Sequence, residues 1–223
     1  MLTLPIEAAP ESRPESRVLI IGRSENVLSE TVNILRRTGH AAGASNEFAD
    51  VMDLFDLTAV DIVVFGGMVP PDAKELLRKQ ISGRNPAMVF IQGYAGIPGL
   101  IAAQVQAHRT AQAAAETGLA VTYDPRTRTV SLHLDRPDDV QVVAWWATSL
   151  TPPEPRSTSQ VLLDARLPAG QHAMPLPPEV PPQASFVTVA ARDAVQAIIT
   201  GPMPHMALVP VPQSPAAPVE GKE

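Results

Sequence analysis

The chain has 223 residues, 45% of them apolar but only 4% aromatic, so any core must rest on Val, Leu, Ile and Ala, and the length suits two small domains. No run approaches the ~20 consecutive apolar residues of a membrane helix, the first residues lack the basic start and apolar run of a signal peptide, and a cysteine-free chain has no disulfides and no thiolate metal site. The net charge of −6 divides as −3 on each side of residue 120 with no basic stripe, which argues against a nucleic-acid partner and leaves a soluble, cytoplasmic, bacterial protein as the expectation.

Residues 1–16 are rich in Pro, Glu and Ser and read as a flexible lead-in. Arg17-Val18-Leu19-Ile20-Ile21 is an apolar run stopped by Gly22, the pattern of a strand buried on both faces. A helix follows over about Asn26–Arg37, with Ser24 as its N-cap and Gly39 as its stop. A weak strand near His40–Ala44 and a helix near Glu47–Phe55 come next, then a strong strand Asp61–Phe65 ending at Gly66-Gly67. A helix over Pro71–Ile81 precedes a third strong strand, Ala87–Ile91, which runs into Gln92-Gly93. An Ala-rich helix then spans about Pro98–Glu116. Strands alternating with helices predict an α/β fold built on a doubly wound parallel sheet over residues 17–117.

After Gly118 the pattern changes to short strands: Leu119–Tyr123, Arg128–Leu134, Val140–Ala147, Gln160–Asp164, Gly170–Leu176, Ser185–Ala190 and Val195–Thr200. Turn residues and prolines separate them, which predicts a small all-β sandwich of immunoglobulin or fibronectin type over 118–208. Leu119–Tyr123 could instead complete the first sheet. Residues 209–223 read as a disordered Pro-rich tail.

From Val18 to about Leu100 the sequence resembles the receiver domain of bacterial response regulators, of the flavodoxin-like class. The pieces are Val18–Ile21, Glu25–Leu28, Leu35-Arg36-Arg37-Thr38-Gly39-His40, Asp61–Phe65 and Met68-Val69-Pro70, in the order and spacing of that family. The chemistry does not carry over. Gly22 and Arg23 stand where a receiver holds its metal-binding acids, Gly66 where it has the phospho-accepting Asp, and Gln92-Gly93 where it has Ser or Thr. Without carboxylate oxygens there is no Mg²⁺ site, and without an accepting oxygen there is no phosphoryl transfer. The resemblance therefore implies a receiver-like domain that cannot be phosphorylated. It also implies self-association, as a homodimer, through the fourth strand and the helix after it.

Other chemistry is thin. Leu19–Ser24 starts like a dinucleotide-binding unit but lacks G-x-G-x-x-G. The five histidines have no metal-ligand spacing, no G-x-S-x-G elbow occurs, and Asp135, Asp138 and Asp139 lack a calcium-loop pattern. No catalytic residue, metal or cofactor is expected, and no helix-turn-helix follows the first domain. Two surfaces remain. Gly22, Arg23, Gly66, Gly67, Gln92 and Gly93 fall at the carboxyl ends of three strands, where open α/β sheets bind ligands, so they could line a crevice for a small molecule; alternatively the glycines only make tight turns. Adjacent Trp145 and Trp146 must face opposite sides of a strand, so one enters the core. The other is either shielded by Pro152–Pro155 or a binding anchor. The sequence thus reads as a non-enzymatic interaction or scaffold protein that binds itself or a protein partner. A small-molecule or nucleotide sensor is the alternative.

Overall fold

The computed structural model of the chain describes residues 1–202 apart from 9–14, 95, 112–114, 116–117, 150–154 and 193. The expected tail at 209–223 lies outside the described residues. The first sheet has five strands in the order β1-β3-β2-β4-β5, with β1 Thr3–Glu7, β2 Arg17–Ile21, β3 Ala41–Ser45, β4 Ile62–Phe65 and β5 Val89–Gln92. β3, β2, β4 and β5 run parallel, whereas β1 pairs antiparallel with β3. The segment expected as a flexible lead-in therefore contributes an edge strand, pinned where Asn46 Oδ1 accepts from the Leu2 amide at 2.8 Å. β1 lies so close that a Cβ on Gly43 would come within 2.6 Å of the Leu4 carbonyl oxygen. That approach is why β3 is built from Ala, Gly and Ser and reads weakly in sequence.

Alternate side chains of β2 and β4 enter two different cores. Val18, Ile20, Ile62 and Val64 meet α1 (Glu25–Arg37) and α4 (Pro98–Arg109). Leu19, Ile21, Val63 and Phe65 meet α2 (Val51–Leu54), a 3-10 turn at Leu57–Ala59, and α3 (Pro71–Arg84). Ser24 caps α1 by accepting from the Val27 amide at 3.2 Å, and Pro71 and Pro98 open α3 and α4, where a missing N–H is harmless. The helix expected over Glu47–Phe55 is reduced to the single turn of α2.

The second half forms two antiparallel sheets on a shared core. β6 (Ala120–Asp124), β7 (Thr129–Leu134) and β10 (Gly170–Pro175) form one sheet, in the order β10-β7-β6. β8 (Asp138–Ser149), β9 (Arg156–Leu167), β11 (Ser185–Ala191) and β12 (Ala194–Gly201) form the other, in the order β12-β11-β8-β9. Val130, Leu132, Val140, Val142, Val187 and Val189 fill the space between them. β6 pairs with β7, so Leu119–Tyr123 does not complete the first sheet. The β6–β7 turn is held by Asp124, whose carboxylate accepts from the Arg126 amide and the Thr127 hydroxyl, both at 2.9 Å.

These sheets correct the expected fold class. Strands hold 43% of the described residues and helices 26%, and two of the three sheets are antiparallel. The first sheet is mixed, with an antiparallel edge in place of a further parallel strand. A doubly wound parallel, receiver-like or flavodoxin-like α/β fold is overturned. The continuous apolar runs identified buried strands correctly, but they carry no information on how much antiparallel sheet surrounds them.

Candidate functional site

The glycine-lined edge of the first sheet was the principal candidate. Its glycines extend the ladder instead of turning away from it. Gly22 donates to the Ser45 carbonyl at 3.1 Å, Gly66 to that of Ile21 at 2.8 Å, and Gly93 to that of Phe65 at 2.8 Å. None of Gly22, Gly66, Gly67 and Gly93 has a left-handed φ, although Gly66 and Gly67 do open the turn closed by Val69 N on the Gly66 carbonyl. Three of them are small because something is close. A Cβ on Gly66 would lie 3.3 Å from the Gly22 Cα, one on Gly93 would lie 3.3 Å from the Phe65 oxygen, and one on Gly22 would lie 3.2 Å from Leu28 Cδ2. A Cβ on Gly67 meets nothing within 4 Å. The open part of this edge is thus Gly67 alone.

Gln92 closes the end of β5. Its side-chain amide donates to the carbonyls of Phe65 and Gly93, each at 3.0 Å, and its oxygen accepts from Lys74 Nζ at 2.9 Å. Gln104 of α4 ties the same strand end by donating to the Gln92 carbonyl at 3.0 Å and accepting from the Tyr94 amide at 3.1 Å. Arg78 lies one helical turn beyond Lys74, with its guanidinium 5.6 Å from the centroids of both Phe65 and Phe90. Those two rings stack at 5.9 Å. Burial, and then the positive charge of Arg78, hold the Lys74 ammonium below the ordinary lysine range. Arg23, at the end of β2, sits over the Phe48 ring at 5.8 Å.

Gly22, Gly66, Gly93 and Gln92 are therefore brought together as expected, while Arg23 is drawn aside onto Phe48. Sequence reasoning missed Lys74 and Arg78. The available signal was their i, i+4 spacing on the helix that follows Gly66-Gly67.

The two tryptophans part as adjacent strand residues must. Trp146 packs against the sandwich core. Trp145 faces α4, joins Ile97, Leu100, Tyr94 and Phe186, and donates from Nε1 to Thr188 Oγ1 at 2.9 Å. Its cover is the helix. The connector expected to shield it falls largely at 152–154, outside the described residues. The same packing hides the surface that the receiver resemblance implied for self-association. Leu100 is fully buried, and α4 lies against β12 and β11. Thr110 Oγ1 accepts from the Val195 amide at 3.0 Å, and Gln196 donates to the Leu119 carbonyl at 2.7 Å.

Among the described residues, no three His, Asp or Glu side chains gather as a metal site, and no helix is long and apolar enough to cross a membrane. His40 is buried, with Nε2 3.2 Å from Gln106 Oε1, and His133 lies 3.2 Å from Asp135. An open hollow of about 490 Å³ lies at the opposite, amino-terminal edge of the first sheet, lined by Glu15, Asp61, Asn85, His108 and Arg109 among others. No protein-family model matches the chain, and no curated protein matches it.

Proposed function

We propose that this chain is a non-enzymatic, cytoplasmic interaction protein that associates with a second copy of itself through the outer edge of β9. One observation carries the reading. β9 runs for 12 residues and, among the described residues, pairs only with β8, which leaves its outer row of backbone N–H and C=O groups without a described strand partner. Val161 in its middle is 56% exposed. A long open edge is a template for strand addition. The ladder with β8 shifts register at Leu162, where Val142 pairs with Leu163 and Val143 with Val161, so the open edge falls into two stretches on either side of Leu162.

Light scattering on the full chain at high micromolar concentration tests this. A dimer is expected, with Val161→Lys monomeric. A strictly monomeric wild type, or a dimer indifferent to Val161→Lys, refutes the reading.

A second reading, a small-molecule sensor at the carboxyl edge of the first sheet, is favoured by one observation. Gly67 is open in the turn that leads into α3, whose Lys74 and Arg78 reach Gln92 and Phe65 at the ends of β5 and β4, and neither cation has a carboxylate within ion-pair distance among the described residues.

A further inference from the structure

We propose that the carboxyl edge of the first sheet binds the phosphate group of a small molecule, held between the Gly66–Val69 turn and the side chains of Lys74 and Arg78. The inference rests on the sensor reading and names its ligand class.

The strand order creates the opening. From β2 the chain passes to β3 on one side, while β4 lies on the other, so the loops after β2 and β4 diverge above Gly22 and Gly66. A ligand reaching a parallel sheet enters where loops diverge in this way.

The chemistry lining that opening is cationic, in a chain whose net charge is −6. Lys74 and Arg78 project from one side of α3 toward the end of β4, shown by the contacts of Lys74 with Gln92 and of Arg78 with Phe65. Lys74 spends one N–H on Gln92 and keeps two. Asp72 and Glu75 share the helix, yet neither forms an ion pair with Lys74 or Arg78. Glu25, near the other loop, is engaged with the N-terminal ammonium and Asn46. Two like charges sit side by side, one of them half-buried, with no opposite charge between them. An anion there would pair with both charges and so offset the desolvation and the Arg78 repulsion that hold the Lys74 ammonium low.

The backbone supplies the second, independent observation. The turn is closed by Val69 N donating to the Gly66 carbonyl at 3.2 Å, while the amides of Gly67 and Met68 donate to no described atom. Gly67 has open space where a side chain would stand. Free consecutive N–H groups in a turn form an anion-binding concavity. With Lys as a point charge and Arg as a planar fork, the group that fits is a phosphate with several acceptor oxygens.

Inorganic pyrophosphate is the probe, titrated into the full chain at ionic strength matched with sodium chloride. Binding is read by calorimetry and by the melting temperature. The melt is expected to rise with millimolar pyrophosphate. Arg78→Gln and Lys74→Met should each weaken binding by about tenfold, the scale of one lost charge-assisted hydrogen bond. Arg109→Gln, at the opposite edge of the sheet, should change nothing. Arg78 is exposed, so its variant keeps the test valid if Lys74→Met fails to fold. No response of the wild type, or an equal response in Arg78→Gln, overturns the inference. A melt raised by an uncharged nucleoside but not by pyrophosphate would sink the inference and keep the sensor reading. Silence from both probes sinks the two together.

Discussion

A methyl group added at Gly99 measures the docking of α4 on the outer face of the four-stranded sheet. Gly99 sits in the first turn of α4, and a Cβ there would lie 2.3 Å from both Cη2 and Cζ3 of Trp145. The indole cannot swing away freely, because Nε1 is bonded to Thr188 and the ring packs with Ile97, Leu100 and Phe186. Overpacking of this kind costs about 1–3 kcal/mol. Alanine is otherwise the better helix residue, by up to ~1 kcal/mol in a helix interior and less in a first turn. Gly99→Ala should therefore destabilise by roughly 1–2 kcal/mol, at about 2–4 °C of melting temperature per kcal/mol for a chain of this size. Trp145→Ala alone should cost about 2–4 kcal/mol, since it empties a partly buried aromatic site and strands the Thr188 hydroxyl. In that background Gly99→Ala meets no ring and should be neutral or slightly stabilising. Urea unfolding followed by circular dichroism gives all four corners of the cycle. An equal cost of Gly99→Ala with and without Trp145 would refute the contact as the cause.

The carboxyl-edge glycines should separate by what stands next to each. Gly66→Val and Gly93→Val push a branched side chain against backbone atoms 3.3 Å from the Cβ position and should each cost about 1–3 kcal/mol, whereas Gly67→Ala should stay within about 0.5 kcal/mol, all read from melting temperatures. Lys74 carries a pH signature. Its folded-state pKa lies below the unfolded one, so its charge disfavours folding at neutral pH, and that penalty disappears as pH rises through the folded value toward the unfolded one. Wild-type stability should therefore gain on Lys74→Met between neutral pH and about pH 10, the ordinary lysine range. A stability difference flat across that window would show that the ammonium is not held low.

Much of the buried framework was legible because β2 and β4 are continuous apolar runs sealed on both faces, and their alternation assigns each residue to one of two cores. β1 was not legible. Leu4-Pro5-Ile6 lies in a stretch coloured by Pro and Glu, and only its fit over Gly43 makes it a strand. β9 was read as five residues, because Ser157–Ser159 is polar on both faces; pairing with β8 extends it to 12. At the candidate site the glycines signalled the strand ends correctly, but close backbone approach at Gly66 and Gly93 is something no single sequence displays. Lys74 and Arg78 escaped notice because an i, i+4 cation pair on an amphipathic helix ordinarily reads as a solvated face.

The double duty of α4 decides which surfaces remain for association. Ile101, Ala102 and Val105 belong to the core over β2 and β4, while Ile97 and Leu100 belong to the cluster with Phe186 and Trp145. A helix committed on both sides leaves little surface for an interface, which is why the proposed pairing is placed on an open strand edge. Three of the edges carry features that oppose strand addition. β1 contains Pro5, which has no N–H to offer; β10 is six residues long and ends in Pro175; β5 has four residues and is clamped at its end by Gln104. β9 has 12 residues and no proline. Its charges, Arg156, Asp164 and Arg166, are of both signs. A run of one sign would repel every copy of itself, whereas mixed charges do not. The proposed self-association at β9 therefore rests on what opposes strand addition at β1, β5 and β10 as much as on what β9 exposes.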